Sequence, residues 1–251
     1  MTNKPEAEWT DFGFETVPVS EKQSRVADVF SSVAPSYDIM NDLMSGGVHR
    51  LWKDALMDWM APADGQHLVD LAGGTGDIAL RFLKRGGSHV HVVDINADMI
   101  TAGQKRRDLN RFAKQIDWTV ASAEDIPLPA AAADRVTISF GLRNVTSRDK
   151  ALKEAFRILK PGGRFCCLEF SAVENKALSK LYDLWSFRAL PQLGRIVARD
   201  EAAYRYLAES IRRFPAQDEL AQMMSDAGFV QVRYRNLSGG IAAIHSGWKL
   251  D

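Results

Sequence analysis

Residues 68–77 read LVDLAGGTGD, and this stretch decides the fold of the chain. An apolar run ends in Asp70, a glycine-dense turn follows, and a helical pattern begins directly after it. A strand that ends at such a turn, below a helix N-terminus, offers backbone N–H groups to a ligand without side chains in the way. The next apolar run, residues 90–94, ends in Asp94, at the place where a ribose diol finds its acceptor. The pattern therefore predicts a nucleoside site.

Two ligand classes compete for this turn. Residues 74–79 match G-x-G-x-x-G/A, and Asp94 lies at about the spacing of a dinucleotide fingerprint. A carboxylate at Asp70 would repel a pyrophosphate, however, and it suits a cation. S-adenosylmethionine carries an ammonium and a sulfonium and no phosphate, so an acid before Gly74 and Gly76 favours it. An NAD-dependent oxidoreductase is the alternative.

From residue 67 onward, strand patterns alternate with helical patterns, which predicts an α/β fold built on a doubly wound, mostly parallel sheet. The predicted strands are residues 67–72, 89–95, 116–121, 133–140, 164–170, 229–236 and 240–248. The predicted helices are residues 77–84, 97–112, 148–159 and 217–227. Because the turn at 238–240 is so short, the last two strands are expected to be antiparallel.

The chain is expected to divide into a flexible N-terminal tail, residues 1–19, and a single domain, residues 20–251. Within that domain, residues 20–60 have a helical pattern and are expected to cap the ligand site. Residues 172–214 have helical spacing and no strand, which predicts a helical insertion above the carboxyl edge of the sheet, acting as a lid.

Composition excludes several classes of function. The 251 residues include 32 basic and 32 acidic side chains, so the formal net charge is +0, which disfavours a nucleic-acid partner. No apolar run is long enough to cross a bilayer, and a cytoplasmic protein is expected. Cys166 and Cys167 are sequence neighbours and disfavour a disulfide. The five histidines lack metal-ligand spacing, so no metal is predicted.

Two loops after predicted strands carry further candidates. In residues 122–127, an acid could accept from an adenine amine and Ile126 could cover the ring. Residues 140–144, FGLRN, follow the fourth predicted strand, where ligands collect in doubly wound sheets. We expect Arg143 to polarise a substrate oxygen there. Asn144 could contact a ligand or cap the next helix.

Longer motifs resemble a known family. Residues 37–52, YDIMNDLMSGGVHRLW, strongly resemble one signature of the ubiquinone/menaquinone biosynthesis C-methyltransferases, and residues 157–171, RILKPGGRFCCLEFS, resemble the second. The likeness also covers residues 70–77, 137–145 and 204–211, and it runs from about residue 12 to residue 250. The first residues and the alanine-rich loop at 130–133 depart from the family pattern.

The resemblance implies a class I S-adenosylmethionine-dependent methyltransferase fold, with seven strands of which the last is antiparallel. It implies S-adenosyl-L-methionine as co-substrate and a polyprenylated quinol as substrate. In such families the contacts to the co-substrate fall on positions that match Thr75, Asp94, Ser122, Ala123 and Ser139. The implied partners are a membrane surface or a quinone-biosynthesis complex, touched transiently at the inner membrane face, and a homodimer is left open.

Methylation of a ring carbon needs a quinol that has lost a hydroxyl proton, and a phenolic pKa is about 10. Arg143 is a poor base and a good partner for a phenolate. Tyr37, Asp38 and His49 are the other candidates, and the sequence does not rank them. A non-catalytic, methyltransferase-like scaffold of a quinone-synthesis complex is the second alternative. Apolar side chains of the insertion are expected to line a tunnel for the prenyl tail: Leu181, Leu184, Trp185, Phe187, Leu190 and Leu193.

Overall fold

The computed structural model describes residues 9–33, 42, 45–174, 182, 184–185 and 201–251. Tyr37 and Asp38, two of the catalytic candidates, lie outside the described residues. The same holds for most of the predicted tunnel wall, namely Leu181, Phe187, Leu190 and Leu193.

The secondary structure follows the alternation expected from the sequence. The strands are β1 (Trp9–Phe12), β2 (Glu15–Pro18), β3 (His67–Leu71), β4 (His89–Asp94), β5 (Ile116–Val120), β6 (Ala133–Ser139), β7 (Leu159–Phe170), β8 (Val230–Leu237) and β9 (Ala242–Trp248). The helices are α1 (Val19–Val33), α2 (His49–Met60), α3 (Asp77–Lys84), α4 (Ala97–Gln104), α5 (Arg148–Ile158), α6 (Glu201–Arg212) and α7 (Gln217–Asp226). Short 3-10 segments cover Arg107–Gln115, Leu142–Asn144 and Ser238–Gly240.

Seven strands form one sheet in the order β5-β4-β3-β6-β7-β9-β8. The pairs from β5 to β7 are parallel, and β9 is antiparallel to both of its neighbours. This confirms the predicted α/β sheet with its antiparallel last strand. The strand order reverses between β3 and β6: β4 and β5 lie on one side of β3, whereas β6 and the later strands lie on the other side. This reversal leaves a crevice at the carboxyl ends of β3 and β6.

The central strands are buried on both faces, because helices cover the sheet from both sides. Along β3, Leu68 packs into one core cluster, whereas Val69 and Leu71 pack into the other. The first cluster contains Leu56 of α2 and Phe82 of α3. Cys166 and Cys167 divide in the same way between the two faces and are both free thiols.

The flexible tail predicted over residues 1–19 is wrong for residues 9–18. These residues form the antiparallel hairpin β1–β2, in which Trp9 pairs with Pro18 and Phe12 with Glu15. Contacts with distant parts of the chain hold the hairpin. Asp11 binds Arg148 at 3.1 Å, and Phe12 stacks on Tyr206 at 4.3 Å.

Two predicted boundaries are also wrong. The helix predicted over 97–112 ends at Gln104, because Gly103 packs against the indole of Trp118 and Arg106 has an extended backbone. The Lys160–Gly163 stretch ends α5 as expected, but it belongs to β7. There the backbone N–H of Gly162 donates to Lys249 at 2.7 Å, so this turn is part of the sheet.

Candidate active site

The turn between β3 and α3 has a backbone conformation that favours glycine. Gly74 and Gly76 have φ angles of +55° and +78°. A side chain at Gly73 would approach Asp70 Oδ2 to 2.7 Å, and one at Gly76 would approach the Trp118 ring to 2.8 Å. Gly74 lines a cavity, whereas Gly76 lines neither cavity and packs against Trp118. Gly76 therefore shapes the loop and does not face the ligand site.

Asp94 lies at the end of β4, directly beside this turn. Its Oδ2 accepts the backbone N–H of Gly74 at 2.8 Å, and its Oδ1 accepts that of Asn96 at 2.8 Å. Burial raises the pKa of Asp94 above its ordinary value, although these backbone donors partly oppose the shift. The two motifs that the sequence places 20 residues apart therefore form one structure.

A first cavity opens above Asp94. The loop after β5 forms one wall with Ser122 and Ala123, two of the predicted contact residues, and the segment after β6 forms another. Helix α1 covers the cavity with its apolar residues Val26 and Ala27. The predicted contact of Ile126 with a ligand ring is wrong, because that side chain is 3% exposed and packs in the core.

A second cavity adjoins the first through Ala72, Gly74 and Phe140, which line both. Its other lining residues are Lys53, Asp70, Gly73, Thr75, Asp77, Ile78 and Ser139. The structure therefore brings the predicted residues Asp70, Thr75 and Ser139 together.

The polar groups of this second cavity are unequally paired. Asp70 is completely buried, and neither of its carboxylate oxygens has a hydrogen-bond partner among the described residues. Burial, with the nearby charge of Asp94, raises the pKa of Asp70 well above its ordinary value. Asp77, by contrast, contacts Lys53 Nζ at 2.8 Å. Burial alone would raise the pKa of Asp77, but the positive charges of Lys53 and Arg81 outweigh it and lower this pKa to about 2.

This arrangement fits S-adenosylmethionine better than a dinucleotide. An acid that accepts no hydrogen bond within the described residues suits the ammonium of an amino-acid tail, and the Oγ of Ser139 is another such buried polar atom. A pyrophosphate would meet an acid at the same place. Sequence reasoning missed Lys53, because its position at the cavity depends on how α2 packs across the sheet.

Arg143 does not line either cavity, contrary to its predicted contact with a substrate oxygen. The side chain is 1% exposed, and its Nη1 lies 2.6 Å from both Glu169 Oε1 and the carbonyl oxygen of Phe140. The guanidinium also lies over the Phe170 ring at 5.5 Å. Arg143 therefore holds the ends of β6 and β7 together, and this geometry favours an indirect role in the site.

Asn144 lies at the wall of the first cavity and accepts the Tyr206 hydroxyl at 3.1 Å. Helix α5 has a different N-cap, Ser147, whose hydroxyl accepts from the backbone of Lys150. Capping by Asn144, one of the two alternatives left open by the sequence, is therefore wrong.

His49 begins α2, and its Nε2 lies 2.9 Å from Asp42 Oδ1. The side chain is buried, and burial lowers the pKa of His49 below 6.5. Among the described residues, no group of three or more side chains is suited to a metal ion. Nor is any helix in the described part of the chain long and apolar enough to cross a membrane.

Fold and site together define a class I S-adenosylmethionine-dependent methyltransferase. A solved methyltransferase of Thermotoga maritima, described as a possible histamine N-methyltransferase, has a TM-score of 0.62 and 19% identity, covering 88% of this chain and 99% of that one. The geranyl diphosphate C-methyltransferase of Streptomyces coelicolor has a TM-score of 0.59 and 16% identity, covering 82% of both chains. These likenesses concern the fold alone.

Sequence comparison identifies the family. The model of the ubiE/COQ5 methyltransferase family matches residues 18–249, and the chain belongs to this family. A Roseobacter denitrificans protein named ubiquinone/menaquinone biosynthesis C-methyltransferase is 55% identical over 242 residues, covering 96% of this chain and 97% of the relative. An Acidiphilium cryptum protein of the same name is 57% identical over 244 residues, covering 97% and 98%.

Proposed function

We propose that this chain transfers the methyl group of S-adenosylmethionine to a ring carbon of a polyprenylated quinol. The substrate is 2-methoxy-6-polyprenyl-1,4-benzoquinol, demethylmenaquinol or both, in ubiquinone/menaquinone biosynthesis. The relatives that carry this name match nearly the whole chain at 55–57% identity. The observation that carries the proposal is the buried carboxyl group of Asp70, which has no hydrogen-bond partner among the described residues and suits a cationic ligand.

The two cavities divide the ligand between them. In the first, Asp94 accepts the ribose hydroxyls, and Ser122 and Ala123 contact the adenine. In the second, Asp70 accepts the ammonium of the amino-acid tail, with Thr75 and Ser139 beside it. Gly74 joins the two cavities, and its backbone leaves room for the ligand to pass.

The chemistry depends mainly on alignment, because the sulfonium is already an activated methyl donor. The protein holds the ring carbon, methyl and sulfur in line at near-attack distance. An aromatic cluster adjoins both cavities: Phe140 lines them, and its ring centroid is 5.0 Å from that of Phe170 and 6.3 Å from that of Trp52. The quinol ring is proposed to bind beside Phe140. Arg143 fixes this cluster through the carbonyl of Phe140.

Because the prenyl tail is apolar, it is expected to bind along an apolar path that leads to a membrane surface or a lipid-carrying partner. Leu184 and Trp185, from the predicted tunnel wall, are 51% and 39% exposed. We infer that they meet the tail during transient contact at the inner membrane face. Trp185→Ala is expected to raise KM for long-tailed quinols several-fold and leave short-tailed quinols unaffected, with Val230→Ala on exposed β8 as the control. An equal effect on both quinols would place the tail elsewhere.

The direct test is turnover by the purified chain. Reduced prenylated benzoquinol and demethylmenaquinol are each incubated with S-adenosylmethionine, and the products are measured by mass spectrometry. The expected products are the singly methylated quinol and S-adenosylhomocysteine in equal amounts. Thermal stabilisation by NAD(H) alone, without methyl transfer, would favour the oxidoreductase instead.

A further inference from the structure

Helix α2 runs antiparallel to the strands that it covers. Near its C-terminal end, the Trp59 carbonyl accepts from Arg164 and the Met60 carbonyl accepts from Arg135 at 3.4 Å. These arginines stand near the starts of the parallel segments of β7 and β6. The first turn of α2 therefore lies at the opposite, carboxyl edge of the sheet, where both cavities open.

One face of this first turn points at the site. Trp52 packs against Phe140 and Phe170, with ring centroids 6.3 and 5.9 Å away, and Lys53 lines the second cavity. Residues three and four positions apart share a face of a helix. His49 therefore lies on this face, one helical turn before Lys53 towards the carboxyl edge of the sheet, and it is buried without lining either cavity.

His49 is bonded at one nitrogen and unbonded at the other. Its Nε2 contacts Asp42 Oδ1, and Asp42 Oδ2 accepts from Arg50 at 2.7 Å. The backbone N–H of His49 donates to Ser45 Oγ, which fixes the turn. The Nδ1 atom is buried and has no hydrogen-bond partner within the described residues.

This geometry selects one tautomer. With the Nε2 proton donated to the Asp42 carboxylate, Nδ1 carries a free lone pair and can accept a proton. Burial lowers the pKa of His49 despite the nearby Asp42 carboxylate, and the positive charge of Lys53 acts in the same direction as burial. The imidazole is therefore neutral at pH 7 and available as a base.

We propose that Asp42 and His49 form the general base of the methyl transfer, with His49 Nδ1 accepting the quinol hydroxyl proton and Asp42 as the positioning residue. This rests on the function proposed above. As the hydroxyl proton moves to His49, the ring carbon forms a bond to the methyl group. The carbon–sulfur bond breaks, and its electron pair stays on sulfur. The ring carbon then loses its hydrogen to water while His49 returns its proton to the ring oxygen, so one proton is released in total.

The test compares His49→Gln with His89→Gln in the full-length protein. His89 is a matched control, because it also contacts an aspartate, Asp117 at 2.8 Å, but at the amino edge of the sheet. We expect His49→Gln to bind S-adenosylmethionine within about twofold of the wild type and to lose roughly 100-fold or more in kcat. His89→Gln should keep both.

A pH profile separates a base from a merely structural histidine. Charged groups around His49 are Asp42, Arg50 and Lys53. Wild-type kcat is expected to fall with decreasing pH along a limb that begins below 6.5, and His49→Gln should lack this limb. Asp42→Asn is expected to lower kcat about tenfold without changing KM, and it serves as the second variant if His49→Gln does not fold.

Turnover of His49→Gln within a few-fold of the wild type, or an unchanged acid limb, would overturn the base assignment and leave the proposed function standing. Failure of the wild-type protein to methylate any quinol, while it still binds S-adenosylmethionine, would overturn both.

Discussion

The carboxyl ends of β3 and β4 each carry a buried aspartate, and the two ends are built in opposite ways. Asp94 is surrounded by backbone donors, with Gly74 and Asn96 each at 2.8 Å. Asp70 lies one strand away and has no hydrogen-bond partner in the described structure. In the proposed function, the acid that already accepts backbone donors accepts further hydroxyls, whereas the acid without a donor among the described residues suits a cation. If the proposed function is correct, these neighbouring strands bind the two different ends of one ligand.

The largest expected effect comes from filling the turn between these aspartates. Gly74→Val places a branched side chain where φ is +55° and where a Cβ would lie 3.1 Å from Met99 Cε. We expect calorimetry to detect no binding of S-adenosylmethionine. Gly162→Val is the control, since it has a φ of +75° but open space around its Cβ. Normal binding by a folded Gly74→Val protein would refute the glycine-turn interpretation.

A third buried acid, Glu169 near the end of β7, sharpens the comparison because it has a cation of its own. Arg143→Ala would leave this carboxylate unpaired, and we expect the free energy of unfolding to fall by about 3–5 kcal/mol in chemical denaturation. The double variant Arg143→Met, Glu169→Gln is expected to recover both stability and turnover. Recovered stability without turnover would instead restore the direct contact between Arg143 and the substrate.

Asp94→Ala removes the carboxylate that accepts the backbone N–H of Gly74 and, in the proposed function, the ribose hydroxyls. The ribose hydroxyls lose a charged partner, so calorimetry should show binding of S-adenosylmethionine weakened by about 1.5–3 kcal/mol. The Gly74 N–H also loses its acceptor, so Asp94→Asn is measured alongside as a variant that keeps an acceptor oxygen. Unchanged affinity in both variants would remove Asp94 from the site.

Asp70→Asn is expected to weaken binding less than the variants above and to stabilise the ligand-free protein. Affinity should fall about tenfold, because a neutral amide replaces the partner of the ammonium. The raised pKa of Asp70 means that the folded protein favours the protonated acid, so its contribution to stability is lost as pH rises above 3.8. Thermal unfolding without ligand should therefore show an advantage of Asp70→Asn that grows with pH. A constant difference would contradict this.

The sequence predicts the sheet and both aspartates because their signals are local. Each strand, its terminal acid and the following turn occupy about ten consecutive residues, as in 68–77. The hairpin at residues 9–18 has strands of only four residues and depends on Asp11 contacting Arg148, which is 137 positions away. Local patterns carry no information about such a contact.

The same limit applies to the site. Arg143 follows a strand tip, as a substrate-binding residue would, but its pairing with Glu169 becomes visible only when β6 and β7 are side by side. Lys53 and His49 depend on the direction in which α2 crosses the sheet. Sequence patterns therefore locate the ends of the strands, whereas three-dimensional packing decides which side chains reach the ligand.

The hairpin also has a consequence for the order of assembly. Asp11 joins Lys22 of α1 to Arg148, while the Phe14 N–H donates to Glu209 at 3.1 Å. During synthesis, residues 9–18 therefore leave the ribosome early, but their partners near residue 209 follow almost two hundred residues later. Contacts between such distant segments form late, because a long loop has to close first. Helix α1, which covers the first cavity, is therefore made early, but the contacts that hold it in place through the hairpin form late. We expect a newly made chain to complete this cavity only near the end of folding.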